Sequence, residues 1–330
     1  MTAAGGAEVL QEHELPRPDI RNPDDMLVRL RAAGVNPVDT KLRSNGLYFP
    51  DGLPAILGCD GAGVVEAVGA SVSAFGPGDE VFFCYGGLGQ SAGNYAEYTV
   101  IPSYAAAKKP AGIDVAEAAA APLVLITAWE ALFDRAGIAI GEGAGQKVFV
   151  HAGAGGVGHV AVQLAKIAGC EVATTVSDDA KAEFVAGLGV DRIINYRQED
   201  VASALLDWTA GKGVDVALDT VGGAAFTQLI PALRVYGDLV SLLQIPADTD
   251  WKTLRLRNIR MSQELMLTPM VLGMREALAH HADILGRCAA WMAEGRLCVH
   301  VSHRLPLAEA AAAHLLIEAG GMRGKIVLDI

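Results

Sequence analysis

KVFVHAGAGGVGHVAVQLAKIAGCEVATTVSDDAK, residues 147–181, is the stretch whose reading decides the fold. Its opening, KVFVH (147–151), is a short apolar run of the kind that forms a parallel strand buried on both faces. It leads directly into AGAGGVG, with glycines at Gly153, Gly155, Gly156 and Gly158. Val157, Val160, Ala161, Leu164 and Ile167 then recur at helical spacing, and Gly169 stops the helix before a second strand at 171–176. Strand, glycine turn, helix and strand together give G-x-G-x-x-G its diagnostic force. Glycine is needed because the backbone bends tightly and must approach a pyrophosphate with no Cβ in between. The helix N-terminus adds unpaired N–H groups and a partial positive charge. A glycine turn that only packs a helix on a sheet is the plainer reading, and the surrounding context disfavours it. Gly153, Gly155, Gly156, Val157 and Gly158 are therefore expected to hold a dinucleotide.

Working outward, 330 residues exceed the usual single core, so two domains are expected. A net charge of −12 offers no basic stripe to neutralise phosphates, which argues against nucleic acid or an anionic membrane as partner. The five cysteines are odd in number and scattered, with no C-x-x-C, so a reducing, cytoplasmic setting is expected. No charged segment followed by an apolar core opens the chain, so no signal peptide is expected. The most apolar stretch, 115–133, carries Glu117, Pro122 and Glu130, which spoils it as a membrane span.

Residues 1–124 read as mostly β: alternating runs at 26–32, 63–68, 80–83 and 95–100 are separated by turn clusters such as PRPD, NPDD and FGPGDE. From about 127 the pattern alternates. Segments 128–136, 180–188 and 224–235 look helical, while 192–195, 214–219 and 237–242 look extended. This is the pattern of a doubly wound parallel sheet. Two helical runs (274–291 and 307–319) and a strand (325–330) close the chain. That segment is too short for a comfortable third domain and is expected to return to the first.

Several ordered motifs now carry a resemblance over nearly the whole length. They are AAGVNPVDTKLRSNGLY (32–48), ILGCDGAGVVEAVG (56–69), GPGDEVF (76–82), GNYAEY (93–98), PLVLITAWEAL (122–132), AGAGGVG, VDRIINYR (190–197), VALDTVGG and GKIVL. The chain resembles the medium-chain dehydrogenases/reductases of the zinc-independent quinone oxidoreductase (zeta-crystallin-like) type. The resemblance implies an α/β protein: a GroES-like β-barrel domain (1–124 with 266–330) split around a Rossmann domain (125–265). It also implies a homodimer. Zinc-dependent relatives hold a catalytic metal with two cysteines and a histidine; laying the motifs over one another puts Asn36, Cys59 and Leu123 there. One amide, one thiol and one leucine do not make a zinc site. The four clustered cysteines of a structural-zinc lobe are also missing, since 83–110 contains only Cys84. No metal is expected, and Cys59 reads as a small buried hydrophobe.

Without a Lewis acid, the accessible chemistry is hydride transfer from a reduced nicotinamide to a carbon already made electron-poor by conjugation: a quinone or an α,β-unsaturated carbonyl. Asn36, followed by Pro37, offers an amide to the nicotinamide or to a substrate oxygen; as a bare residue type it is equally a turn asparagine. Tyr48, in a glycine-flanked loop beside Phe49, can stack and donate, and on residue type is equally a core or surface tyrosine. Thr127 resembles a threonine near the cofactor and could equally be a helix N-cap. Asp39 and Asp60 lie in matching motifs and could be only structural. The residue that would hold an adenosine ribose falls on Val176 or Ser177, and Lys181 and Tyr196 resemble positions that hold a 2′-phosphate, so NADPH is expected. Asp178 and Asp179 depart from that pattern unless they face away as helix N-terminal acids. Val221, in VALDTVGG, is carried to the cofactor by the same resemblance.

His151 could position the glycine turn. The pairs His280/His281 and His300/His303 read as structural or surface residues. The methionine-rich run 261–274 could line a substrate pocket or, more simply, seal a domain junction. The expected partner is a small-molecule substrate. Two other functions stay open: an enone or enoyl reductase, and a non-catalytic NADPH-binding protein.

Overall fold

The computed structural model describes residues 1–330. They divide into two compact units, Met1–Ile126 with Leu267–Ile330, and Thr127–Met266. In the first unit the alternating runs become β1 (Asp25–Val35), β2 (Asp60–Val68), β3 (Glu80–Cys84), β4 (Tyr98–Pro102) and β5 (Ala106–Lys108). Met26, Val28, Leu30, Val65, Val81, Phe83 and Ile101 bury their side chains together as its core. Full burial of such a side chain stabilises by about 1.5–3 kcal/mol. The sequence concealed a helix here, α1 (Pro37–Asn45). Its start is written in Asn36-Pro37, with proline at the first helical position. The Asn36 backbone N–H donates to Asp39 Oδ2 at 2.8 Å, and Gly46 ends the helix at φ +105°. The alanine-rich α2 (Val115–Ala120) and α3 (Pro122–Trp129) follow.

The second unit runs β6 (Lys147–Val150), α4 (Gly156–Ala168), β7 (Glu171–Val176), α5 (Asp179–Ala186), β8 (Arg192–Asn195), α6 (Val201–Trp208), β9 (Val214–Asp219), α7 (Gly223–Leu229), β10 (Leu233–Ser241), α8 (Trp251–Leu256) and β11 (Arg260–Gln263). All pairings are parallel, in the order β11-β10-β9-β6-β7-β8. Renumbered within the unit this is 3-2-1-4-5-6 read from β8, the doubly wound dinucleotide-binding order, and it reverses direction between β6 and β9. Phe149, Ala173, Ile194, Leu205, Ala217, Phe226 and Leu239 form the core on one face. The helix expected over 224–235 stops early. Pro231 cannot continue the hydrogen-bonded ladder, and β10 begins at Leu233.

The chain then gives α9 (Thr268–Leu272), α10 (Arg275–Ala293), β12 (Val301–Pro306), α11 (Ala310–Ala319) and β13 (Lys325–Asp329). β13 pairs antiparallel with β1, placing Val35 opposite Ile326. A seven-stranded sheet results, ordered β12-β13-β1-β2-β3-β5 with β4 also on β1. The methionine-rich run is divided: Met261 packs on the core of the second unit, and Met270 is buried in the first.

Candidate active site

In the second unit the turn after β6 is braced from β7. Gly153 N–H donates to Thr174 Oγ1 at 2.8 Å, and that hydroxyl donates onward to the Val150 carbonyl at 2.6 Å. Ala152 N–H donates to Thr175 Oγ1 at 2.9 Å, with Ala152 itself in the left-handed region at φ +51°. A Cβ on Gly153 would lie 2.2 Å from Thr174 Oγ1, and one on Gly158 would lie 2.2 Å from the Ala152 carbonyl. These two glycines let the turn touch the strand and the helix touch the turn. Gly155 is different: its Cβ would meet only the Ala152 oxygen, at 3.2 Å. It caps α4, whose first N–H groups (Gly156, Val157) have no intrahelical acceptors. A glycine with one neighbouring atom at a helix N-terminus suits the close approach of a phosphate.

At the carboxyl ends of β6 and β9, where the strand order reverses, His151 Nδ1 lies 3.2 Å from Asp219 Oδ1. Asp219 also accepts from the N–H groups of Val221 (3.1 Å) and Gly222 (2.9 Å) and from Ser241 Oγ (2.8 Å). Burial would raise this carboxyl, but the hydrogen bonds from His151, Gly222, Ser241 and Val221 hold it below its ordinary value. His151 is thus tied into the sheet edge, and Val221 stands half-exposed beside it.

Past the end of β7, Ser177 Oγ donates to Asp178 Oδ2 at 2.7 Å, and Lys181 Nζ donates to Ser177 Oγ at 2.9 Å. Asp178 caps α5 by accepting the Lys181 N–H at 2.9 Å. Tyr196 is exposed on the neighbouring strand end, its N–H bonded to the Val176 carbonyl. Thr127 is buried well inside α3 and is not a cap.

In the first unit, Asn36, Asp60 and Lys325 form a buried polar cluster. Asn36 Nδ2 donates to Asp60 Oδ2 at 2.8 Å, and Lys325 Nζ donates to Asn36 Oδ1. Lys325 Nζ also lies 3.5 Å from Asp60 Oδ2, with side-chain exposures of 3% and 0%. Leu123 N–H donates to Asp60 Oδ1 at 2.8 Å. Asn36 and Leu123 thus meet at one carboxylate, Asp60, which is already paired with an ammonium. Cys59 is fully buried; burial, with Asp39 and Asp60 adjacent, pushes its thiol well above the ordinary value. No three His, Cys, Asp or Glu side chains are grouped to hold a metal ion.

Asp39 extends the cluster: Tyr95 Oη lies 3.0 Å from Asp39 Oδ2 and 3.2 Å from His314 Nε2. Burial, with the Asp60 carboxylate nearby, raises Asp39 to about 7 against the hydrogen bonds it accepts from Asn36 and Tyr95. Burial, with the Arg43 guanidinium nearby, lowers His314 to about 4. Tyr48 stands apart, 45% exposed. Its neighbour Phe49 joins Tyr85, Leu88, Gln90, Ser91 and Met270 around a small, open surface recess.

Residues 22–111 match the alcohol dehydrogenase GroES-like domain and residues 188–328 match the zinc-binding dehydrogenase family. A quinone oxidoreductase of Pseudomonas aeruginosa is 35% identical over 99% of this chain and 97% of its own. An alcohol dehydrogenase superfamily protein from Novosphingobium aromaticivorans superposes with a TM-score of 0.89 at 33% identity, covering 96% of this chain and 95% of that one. The Escherichia coli quinone oxidoreductase solved with NADPH gives 0.86 at 30% identity, covering 100% and 98%. The chain belongs to the medium-chain dehydrogenase/reductase superfamily. As a member of that superfamily it pairs a GroES-like domain with a Rossmann-type parallel sheet.

Within this superfamily member, sequence reading passed over three parts of the two clusters. Lys325 was visible only as an odd lysine opening an apolar strand, GKIVL. Thr174 and Thr175, two hydroxyls inside an otherwise apolar strand, were the available sign of the braced turn. The Tyr95–His314 contact links residues far apart in sequence and leaves no local signature.

Proposed function

We propose that this protein is an NADPH-dependent, zinc-free oxidoreductase that transfers hydride to a quinone or another activated α,β-unsaturated carbonyl. The observation that carries the reading is the braced glycine turn, with Gly155 the least hemmed-in of Gly153, Gly155 and Gly158, at the reversal point of a 3-2-1-4-5-6 parallel sheet. The quinone oxidoreductase relatives, one of them solved with NADPH, support both cofactor and acceptor.

The residues fit the nucleotide. Gly153, Gly155, Gly156, Val157 and Gly158 would receive the pyrophosphate and Lys181 and Tyr196 the 2′-phosphate, with Ser177, Val221 and Thr127 also on the cofactor side. They do not fit zinc: one would-be ligand is a leucine, another has its carbonyl bonded to Lys325, and the third is a thiol that resists ionisation. A bound nicotinamide would supply the hydride. Asn36 is fully buried with its amide bonded to Asp60 and Lys325, so its part would be to hold that cluster, while the half-exposed hydroxyl of Tyr48 would donate to the substrate or carboxamide oxygen and the acceptor's own conjugation would take up the charge.

No helix is long and apolar enough to cross a membrane, and all five cysteines are free, which supports a reducing cytoplasmic setting. A homodimer belongs to the same reading and is checked by solution mass. The function is tested by following NADPH oxidation without oxygen, using an ortho-quinone, a para-quinone and an enone. Faster turnover on quinones is expected. Preference for the enone would move the assignment to an enone reductase, and binding without turnover would make the chain a nucleotide-binding protein.

A further inference from the structure

Asp178 does not face away from the nucleotide-binding end of β7. One oxygen, Oδ1, caps α5 through the Lys181 N–H. The other, Oδ2, accepts from Ser177 Oγ and lies 3.7 Å from Lys181 Nζ. The ammonium that would bind a 2′-phosphate is therefore already held by Ser177 Oγ at 2.9 Å and by a carboxylate. The Ser177 hydroxyl and the Lys181 N–H hold Asp178 below the usual carboxylate range, so its charge is present at neutral pH. Asp179 is the first residue of the helix and makes no comparable contact with Lys181.

We infer that Asp178 is a specificity-determining residue that weakens this chain's preference for NADPH over NADH, by partnering Lys181 and placing a like charge beside a 2′-phosphate. The inference rests on the nucleotide-binding reading above. A 2′-phosphate must take Lys181 from an existing partner and accept a carboxylate nearby, whereas a 2′-hydroxyl meets neither cost.

The test is calorimetric titration of the full-length protein with 2′,5′-ADP and 5′-AMP, which differ only in the 2′-phosphate. Asp178→Asn and Asp178→Ser both keep a helix-capping side chain while removing the charge. Each is expected to tighten 2′,5′-ADP by about tenfold and leave 5′-AMP within about twofold, the scale of one screened like charge beside a doubly charged group. In a Lys181→Met background the gain from D178N should shrink, because part of the effect is the release of that lysine. An unchanged 2′,5′-ADP to 5′-AMP ratio in both variants would overturn the inference, as would equal tightening of both ligands. Failure of the wild type to bind either mononucleotide, NADH or NADPH would instead sink the nucleotide-binding reading, and this inference with it.

Discussion

Lys325 and Asp39 show what single residues contribute here. Removing one partner of a buried ion pair strands the other, which typically costs about 3–5 kcal/mol. Lys325→Met should therefore lower the denaturation midpoint sharply, and adding Asp60→Asn should recover part of the loss by removing the stranded charge. A double variant no better than the single one would show that the ammonium does not neutralise Asp60. Asp39 has the opposite character. Its folded value is raised to about 7, so the folded state holds a proton that the unfolded chain releases near the usual carboxylate value. That contribution is fully present below the unfolded value and is lost as pH rises through about 7. Asp39→Asn, which mimics the protonated form, should lie nearest wild type below the unfolded carboxylate value and gain on it steadily up to about pH 7, levelling off above, as read from urea midpoints across that range. A difference that does not change with pH would contradict this assignment.

Among the elements, the glycine turn separates structural from functional glycines. Gly158→Ala puts a methyl 2.2 Å from the Ala152 carbonyl and 2.9 Å from Gly153 Cα. Overpacking of this kind costs about 1–3 kcal/mol, so stability and nucleotide binding should fall together. Gly155→Ala meets only one atom, at 3.2 Å. Its melting temperature should stay near wild type while NADPH affinity falls at least about tenfold, because the methyl occupies the phosphate's approach. Equal loss of stability in both variants would deny Gly155 a ligand-facing role. This turn was legible in the sequence because a glycine's constraint is local: strand, turn and helix lie within one short stretch. α1 was not, because Asn36-Pro37 can start a helix or a turn and the helix is short. Asp178 was legible as a departure but not in its orientation, which depends on a helix cap formed three residues on.

At the scale of the whole molecule, the sheet order follows from the alternation of strand and helix signals, and the first unit's closing strands follow from a C-terminal segment too short to stand alone. The buried cluster was out of reach of the sequence. Asn36, Asp60 and Lys325 meet only after β1, β2 and β13 pair, and a side chain's partner 289 positions away leaves no mark on its neighbours. That cluster is also why the chain should work without metal: a resident ammonium is bonded to the amide at one would-be ligand position. The most direct measurement is steady-state NADPH oxidation by a para-quinone on protein whose zinc content has been determined before and after exhaustive chelation. The expected result is an undiminished turnover rate in metal-free protein; a rate that falls with the zinc removed and returns when zinc is restored would contradict the account.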